Sequence, residues 1–198
     1  MKAIFYDWGG INVWLFHAIN NLRAEYLDQF MLLGTALGDH MLFPVYIAII
    51  SLFAVFAASR SAVSHQCDLW LAVLAVLGIA YVLDGQLLVI LKPLLDFPRP
   101  PLALPPASVH IVGIAEYRHS LPSGHSSFAV LLVASLWPVL SRSGRAAGVF
   151  FVCWVGISRV SLGAHFPADV LAGYLSSLAI VLLVSAAVQR LCRAVKEG

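Results

Sequence analysis

Hydrophobic positions in this chain come in long unbroken runs, without the three-and-four spacing of a helix that shows one face to water. Residues 41–58, 69–91, 124–140, 146–164 and 168–188 are apolar for nearly their whole length. A helix needs about 20 apolar residues, within a range of roughly 17–25, to cross the bilayer core. Each run fits, so the pattern predicts five membrane-spanning helices. Three runs carry a charge: Asp84 in the second, Arg159 near the end of the fourth and Asp169 at the start of the fifth.

The first forty residues read differently. Arg23, Glu25 and Asp28 interrupt the apolar positions there, while Leu27, Phe30, Met31 and Leu37 recur at helical spacing with Gly34 on the same face. This predicts one or two amphipathic helices, lying at the interface or packed on the bundle, with a sixth span as the alternative. Trp8 and Trp14 suit the headgroup level. The start is polar and contains glycine, so it lacks the apolar region of a secretory signal.

Composition agrees with the pattern. Of 198 residues, 61% are hydrophobic and 11% charged, whereas soluble domains average roughly 25% charged. This excludes a soluble globular domain, and also disorder, which needs low hydrophobicity and high charge. A formal net charge of +2 gives no footprint for nucleic acid. Cys67, Cys153 and Cys192 form no C-x-x-C pair and read as free thiols. The expected fold is all-α, a polytopic membrane bundle of five spans with N-terminal amphipathic helices. It divides into an N-terminal segment 1–40, a transmembrane domain 41–188 and a basic tail 189–198.

Five spans put Arg60, Arg142, Arg145, Arg190, Arg193 and Lys196 on one side, and Lys2, Arg23, Lys92, Arg99, Arg118 and Arg159 on the other. The raw count is balanced. Lys92, Arg99, Arg118 and Arg159 belong to a cluster with its own chemistry. With them set aside, the positive-inside rule places the first group in the cytoplasm.

That cluster lies in and around residues 93–121, the longest segment between spans, where five of the ten prolines fall between Pro98 and Pro106. Long ordered loops in compact domains are usually functional. The first element is K-P-L-L-D-F-P-R-P at 92–100, with Lys92 and Arg99 as cations; alone, these could simply snorkel to headgroups. The second is H-S-L-P-S-G-H-S at 119–126. It opens a helix, whose free N–H groups and dipole suit an anion. Gly124 lets backbone approach a ligand, Ser123 offers a hydroxyl and His125 can move a proton. An ordinary capped helix start is the plain alternative. The third runs from Ser158 to Asp169. Arg159 ends a span, Pro167 suits a first helical position, and Asp169 lies four residues after His165, where a carboxylate can fix one imidazole nitrogen and leave the other to attack. A His–Asp pair that only caps a helix is the alternative here. Together the three supply permanent cations, a helix N-terminus, two histidines and an orienting acid, a set suited to a phosphoryl group. Asp84, Asp96, Glu116 and Asp169 are too dispersed by spacing to predict a divalent-metal site.

These segments resemble the three motifs of the type 2 phosphatidic acid phosphatase and vanadium-dependent haloperoxidase superfamily: K-x6-R-P at 92–100, P-S-G-H at 122–125 and S-R-x5-H-x3-D at 158–169. The resemblance extends over about residues 34–183. It implies that His165 is the nucleophile and forms a phosphohistidine, that Asp169 orients it, and that His125 protonates the leaving oxygen. It implies that Lys92, Arg99, Ser123, Gly124 and Arg159 bind the phosphoryl oxygens, with no metal or other cofactor. Five apolar spans argue against the soluble haloperoxidase branch. The implied protein is an integral lipid-phosphate phosphatase of a bacterial inner membrane, its site facing outward. The stretch L-x-x-F-M-x-x-x-T-x-L-G-D at 27–39 is most similar to the prenyl diphosphate group, making undecaprenyl diphosphate the expected substrate. Alternatives on the same fold are a phosphatidylglycerophosphate or lipid A phosphatase and a lipid phosphotransferase; a lipid-phosphate-binding transporter or scaffold is the non-enzymatic one. Arg118 and His119 flank the second motif and could touch a second phosphate or only solvent. Asp84, about 12 Å from Lys92 along a helix at 1.5 Å per residue, is either functional or a buried structural hydrogen bond.

Overall fold

The computed structural model describes residues 6–60 and 64–197. Lys2 and the side chain of Lys196, both used in the charge count above, fall outside the described residues. Among the described residues, seven helices have ten or more residues. Two short ones come first, α1 (Ile11–Asn20) and α2 (Glu25–Leu37). The five apolar runs become α3 (Phe43–Ser59), α4 (Ser64–Leu95), α5 (Gly124–Leu136), α6 (Arg142–Ser161) and α7 (Pro167–Glu197). Among the described residues there is no strand.

Among the described residues, three stretches are long and apolar enough to cross a bilayer: His40–Ser59, Cys67–Ala103 and Pro167–Ala194. Helix α5 is shorter, at 13 residues, and rises about 20 Å at 1.5 Å per residue. Pro138 then forces a 3-10 turn, Trp137–Val139. The 20 residues of α6 rise about 30 Å. Its N-terminus is capped by Ser141, whose hydroxyl accepts from the Gly144 amide at 3.1 Å. It starts four residues earlier than the apolar pattern predicts, because that cap sits ahead of Arg142 and Arg145. Helix α4 also outruns its apolar run: Lys92 and Pro93 lie inside its last turn rather than after it. Helix α7 begins at Pro167 and continues as helix through Arg190 and Arg193.

Helix α5 is the centre. Its side chains from Ser126 to Leu132 are all buried, and it packs on α7, α6 and α4. Many of the large apolar side chains left exposed line the outer faces of α3, α4 and α7, among them Ile49, Leu52, Phe56, Val82, Ile90 and Leu183, and others stand on α1, α2 and α6, such as Trp14, Tyr26 and Phe150. Such a belt is what hydrocarbon covers. The N-terminal helices are not detached from this body. Met31 and Gly34 of α2 are buried against α6, with Phe30 stacked on Trp154 at 4.5 Å. Phe16, Asn12 and Asn20 of α1 are fully buried.

Two glycines position the site. A Cβ at Gly173 on α7 would lie 2.5 Å from the Ser123 carbonyl oxygen, so only glycine lets α7 meet the turn that opens α5. Gly163 has φ +77° in the turn between α6 and α7, a conformation glycine adopts without a Cβ penalty. That turn aims His165 back toward α5.

Candidate functional site

Three chain segments converge on His165: the end of α4 with the Pro-rich turn after it, the start of α5, and the α6–α7 turn. Arg99 is 4% exposed and His165 1%. Nη1 of Arg99 lies 3.2 Å from Nε2 of His165. A guanidinium can only donate, so Nε2 is the acceptor and carries the lone pair. The proton is therefore assigned to Nδ1. That nitrogen faces Oδ2 of Asp169 and the hydroxyl of Ser120, each at 3.4 Å.

Asp169 is fully buried and richly bonded. Its Oδ2 accepts from the Ser120 hydroxyl at 2.5 Å and from the Phe166 amide at 2.8 Å, and its Oδ1 accepts from the Tyr6 hydroxyl at 2.7 Å. A buried carboxylate needs such donors to avoid a large desolvation cost. His165 has the opposite problem. Burial, and then the charges of Arg99, Arg159, Lys92 and His125, hold its imidazole well below the usual 6.5. At neutral pH it is uncharged, with Nε2 free to act as a nucleophile.

Arg159 reaches the same space from the last turn of α6. Its Nη1 donates to Thr35 Oγ1 of α2 at 2.5 Å, while its buried Nε has no protein partner. The Glu116 carboxylate joins the two arginines, 2.7 Å from Nη2 of Arg99 and 3.9 Å from Nη2 of Arg159. A cavity of about 260 Å³ opens here, lined by Thr35, Glu116, His125, Arg159, Gly163 and Ala164 among others. His125 makes no hydrogen bond to protein among the described residues and faces this cavity from the first turn of α5. The ammonium of Lys92 lies beside that turn, 4.0 Å from where a Gly124 Cβ would be. Ser123 is fully buried, its oxygen accepting from the Ser126 hydroxyl at 3.0 Å and its own hydroxyl hydrogen left to donate.

Of the eight residues singled out from the motifs, His125 and Arg159 line this cavity; Arg99 is joined to Arg159 through Glu116 and touches His165, which faces Asp169, and the Ser123 amide donates to the Asp169 carbonyl, next to Gly124 and Lys92. Four other residues lie among these, and the sequence marked none of them as a site residue. Glu116 and Ser120 lie in the 93–121 loop and could be suspected only from closeness to P-S-G-H. Thr35 and Tyr6 come from the N-terminal segment, read from its pattern as helices at the interface or packed on the bundle; Thr35 belongs to the stretch at 27–39, which bore on the substrate and not on the site. Of the residues left open above, Arg118 and His119 both pair with Asp96, at 3.2 and 3.3 Å, on the exposed rim. Asp84 accepts from the Ser127 hydroxyl at 2.6 Å between α4 and α5, which makes it a structural bond in the bundle. Among the described residues, no three His, Cys, Asp or Glu side chains are grouped to hold a metal ion.

Residues 69–193 match the family model described as the PAP2 superfamily. A 54-residue stretch, 27% of the chain, is 41% identical to lipid A 1-phosphatase of Rhizobium etli and covers 23% of that protein. A 79-residue stretch, 37% of the chain, is 35% identical to phosphatidylglycerophosphatase B of Escherichia coli and covers 30% of it. The matches therefore span less than a third of the length of these curated relatives. Among solved structures, Aquifex aeolicus LpxE has the same fold, with a TM-score of 0.75 at 24% identity, over 88% of this chain and 94% of that one. A transmembrane PAP2 type phosphatidylglycerolphosphate phosphatase from Bacillus subtilis gives 0.70 at 26%, over 92% and 86%.

Proposed function

The chain belongs to the PAP2 superfamily, and from that premise we propose that it is an integral membrane phosphatase acting on the phosphate of a lipid through a phosphohistidine. The observation that carries this reading is the 3.2 Å contact between Arg99 Nη1 and His165 Nε2. It sets the lone pair of an uncharged, buried imidazole against a cation that can take hold of a phosphoryl oxygen.

In this mechanism a phosphate monoester or diphosphate enters the Glu116–His125–Arg159 cavity. Arg99, Arg159 and Lys92 take its oxygens, together with the Ser123 hydroxyl and the amide groups that open α5. Such preorganised donors gain most as charge develops in the transition state. Nε2 of His165 attacks phosphorus, the ester P–O bond breaks, and protonated His125 delivers its proton to the leaving oxygen. Asp169 balances the positive charge growing on the imidazole ring. Water, deprotonated by His125, then attacks the phosphohistidine, releasing phosphate and restoring Nε2. Every step is carried by side chains of this chain, without a metal ion.

The lipid tail would stay in the bilayer while the headgroup reaches the pocket. The charge balance of the loops favours an outward, periplasmic site in a bacterial inner membrane, with five crossings and the basic end of α7 in the cytoplasm. Three substrates compete. The stretch at 27–39 favours undecaprenyl diphosphate, and the similar proteins named above favour the lipid A 1-phosphate and phosphatidylglycerophosphate. Phosphatidic acid is the general control. Phosphotransfer to a lipid acceptor shares the first half-reaction and differs only in what resolves the phosphohistidine.

The test is phosphate release by detergent-purified protein from these four lipids in EDTA, beside His165→Ala. Release spared by EDTA and lost in the variant supports the reading, and the ranking of lipids names the substrate. Label moved to an added lipid without free phosphate would replace hydrolysis by transfer. No turnover in either format would remove the enzymatic reading.

A further inference from the structure

We infer that Tyr6 is a positioning residue for the reaction proposed above, acting through Asp169, and that the N-terminal helices are the strap that holds it there. The inference rests on that reading of His165 and Asp169, and on geometry of its own.

The two oxygens of Asp169 are unequally held. Oδ2 faces three donors: the Phe166 amide, the Ser120 hydroxyl and, at 3.4 Å, Nδ1 of His165. Oδ1 has one, the Tyr6 hydroxyl at 2.7 Å. A carboxylate turns about its last side-chain bond, and that torsion is soft. The bond to Oδ1 fixes the turn and so keeps Oδ2 aimed at Nδ1. Without it the group can pivot toward Ser120 and Phe166, and the longest of the contacts, that to His165, is the one lost. The imidazole would then no longer be held to one tautomer with Nε2 toward Arg99.

The Tyr6 ring cannot easily leave. It lies on Phe97 at 4.3 Å and meets Phe166 edge-on at 6.0 Å, so it touches the segments carrying both Arg99 and His165. It also lines a cavity of about 320 Å³ with Asn12, Leu95, Phe97, Leu104 and Phe166, a cavity Asp169 does not reach. Burial and the adjoining carboxylate push the phenol far above its usual range, so it stays protonated and donates.

The strap is specific. Asn12 accepts from the Ala168 amide at 2.9 Å, one residue from Asp169. Asn20 donates to the carbonyls of Ser161 and His110, each at 2.8 Å, and accepts from the His110 amide at 2.9 Å. Phe16 packs on Phe166 at 5.2 Å. Fully buried asparagines are costly unless hydrogen-bonded. Asn12 thus holds the turn that carries His165 through its oxygen, and Asn20 ties the end of α6 to His110 of the 93–121 loop, contacts that a helix merely resting at the interface would not require.

The test compares Tyr6→Phe and Tyr6→Leu with the full-length wild type in detergent. The first removes only the hydroxyl and the second also the ring. Two readouts are taken. One is the ¹⁵N spectrum of histidine-labelled protein, in which His165→Gln identifies the His165 signal among seven histidines. The other is kcat, beside the inhibition constant for inorganic phosphate. We expect a single Nδ1–H tautomer in the wild type and a mixture in Tyr6→Phe. We expect kcat to fall about 10- to 100-fold, as for a lost hydrogen bond to a charged group, with phosphate inhibition kept within about twofold because Tyr6 touches no phosphoryl oxygen. Tyr6→Leu should do no less. An unchanged His165 signal overturns the inference, as does an altered signal with unchanged kcat. It is also overturned if Tyr6→Phe matches the wild type while Tyr6→Leu fails, or if phosphate inhibition is lost along with kcat, since the ring's packing would then be what matters. Should the wild type and His165→Ala both release no phosphate, the phosphatase reading fails, and the His165 signal still decides whether Tyr6 positions the pair.

Discussion

The Glu116 carboxylate lies 2.7 Å from the Arg99 guanidinium while remaining 52% exposed, so the cation in contact with His165 is already partnered by an anion from a loop. A substrate phosphate must displace that carboxylate. Glu116→Gln should therefore tighten inhibition by inorganic phosphate and lower KM, by about two- to fivefold, the size of a half-exposed ion pair. Inhibition titrations check it. Weaker phosphate binding in the variant would make Glu116 a support for the arginines instead.

Arg99 and Arg159 differ in what else they do. Arg99 also donates to the carbonyls of Arg118 and Ala164, at 2.9 and 3.2 Å, whereas Arg159 leaves Nε unpaired in the pocket. Replacing either by Ala should cost about 2–4 kcal/mol of transition-state stabilisation, by analogy with a lost oxyanion donor. Lysine should rescue Arg159 better than Arg99, because it cannot reproduce the guanidinium fork. Losses below threefold in kcat/KM would show that these cations only meet lipid.

The depressed His165 imidazole has two consequences for pH. The His165 imidazole stays neutral below its usual 6.5, so if it attacks as proposed, its acid limb in the pH–rate profile should lie below that value. Stability follows the same difference. The unfolded chain protonates this histidine near 6.5 and the folded site only at lower pH, so the unfolded state holds more protons in between. The contribution of His165 is full above about 6.5 and is lost as pH falls. Between pH 8 and pH 5 the wild type should therefore lose more thermal stability than His165→Gln, which melting curves of the two at both pH values check.

Gly173 is where α7 meets the start of α5. Gly173→Ala would force a Cβ against the Ser123 carbonyl. Overpacking of this kind costs about 1–3 kcal/mol. The clash lies at the pocket, so kcat/KM should fall more than tenfold even where the variant still folds. A melt together with kinetics separates the two effects.

Much of this was legible in the sequence, for identifiable reasons. The runs that became α3 to α7 are apolar on nearly every side, and bilayer and bundle both require that. Lys92, Arg99, His125, Arg159, His165 and Asp169 keep fixed local spacings, such as the four residues that place Asp169 within reach of His165. Tyr6, Ser120 and Glu116 were not legible. Their partners lie 163, 49 and 17 residues away, and no local pattern encodes a contact made by tertiary packing. Helix α1 shows the limit most clearly. Asn12 and Asn20 are polar residues on its buried side, so a rule that turns polar positions outward misplaces the face that holds the site. Likewise the apolar run stops at Leu91 and Pro93 opens the loop in the sequence pattern, yet a proline in a last turn still allows the Asp96 amide to reach the Lys92 carbonyl at 3.0 Å.

The most direct test is to trap the phosphoenzyme. Wild type turning over a lipid carrying labelled phosphate would be quenched in denaturant at alkaline pH, and the labelled peptide mapped. The mechanism predicts an acid-labile, base-stable label on His165, absent from His165→Ala. Label on another residue, or robust turnover with no trapped label under conditions where hydrolysis of the intermediate limits the rate, would contradict it.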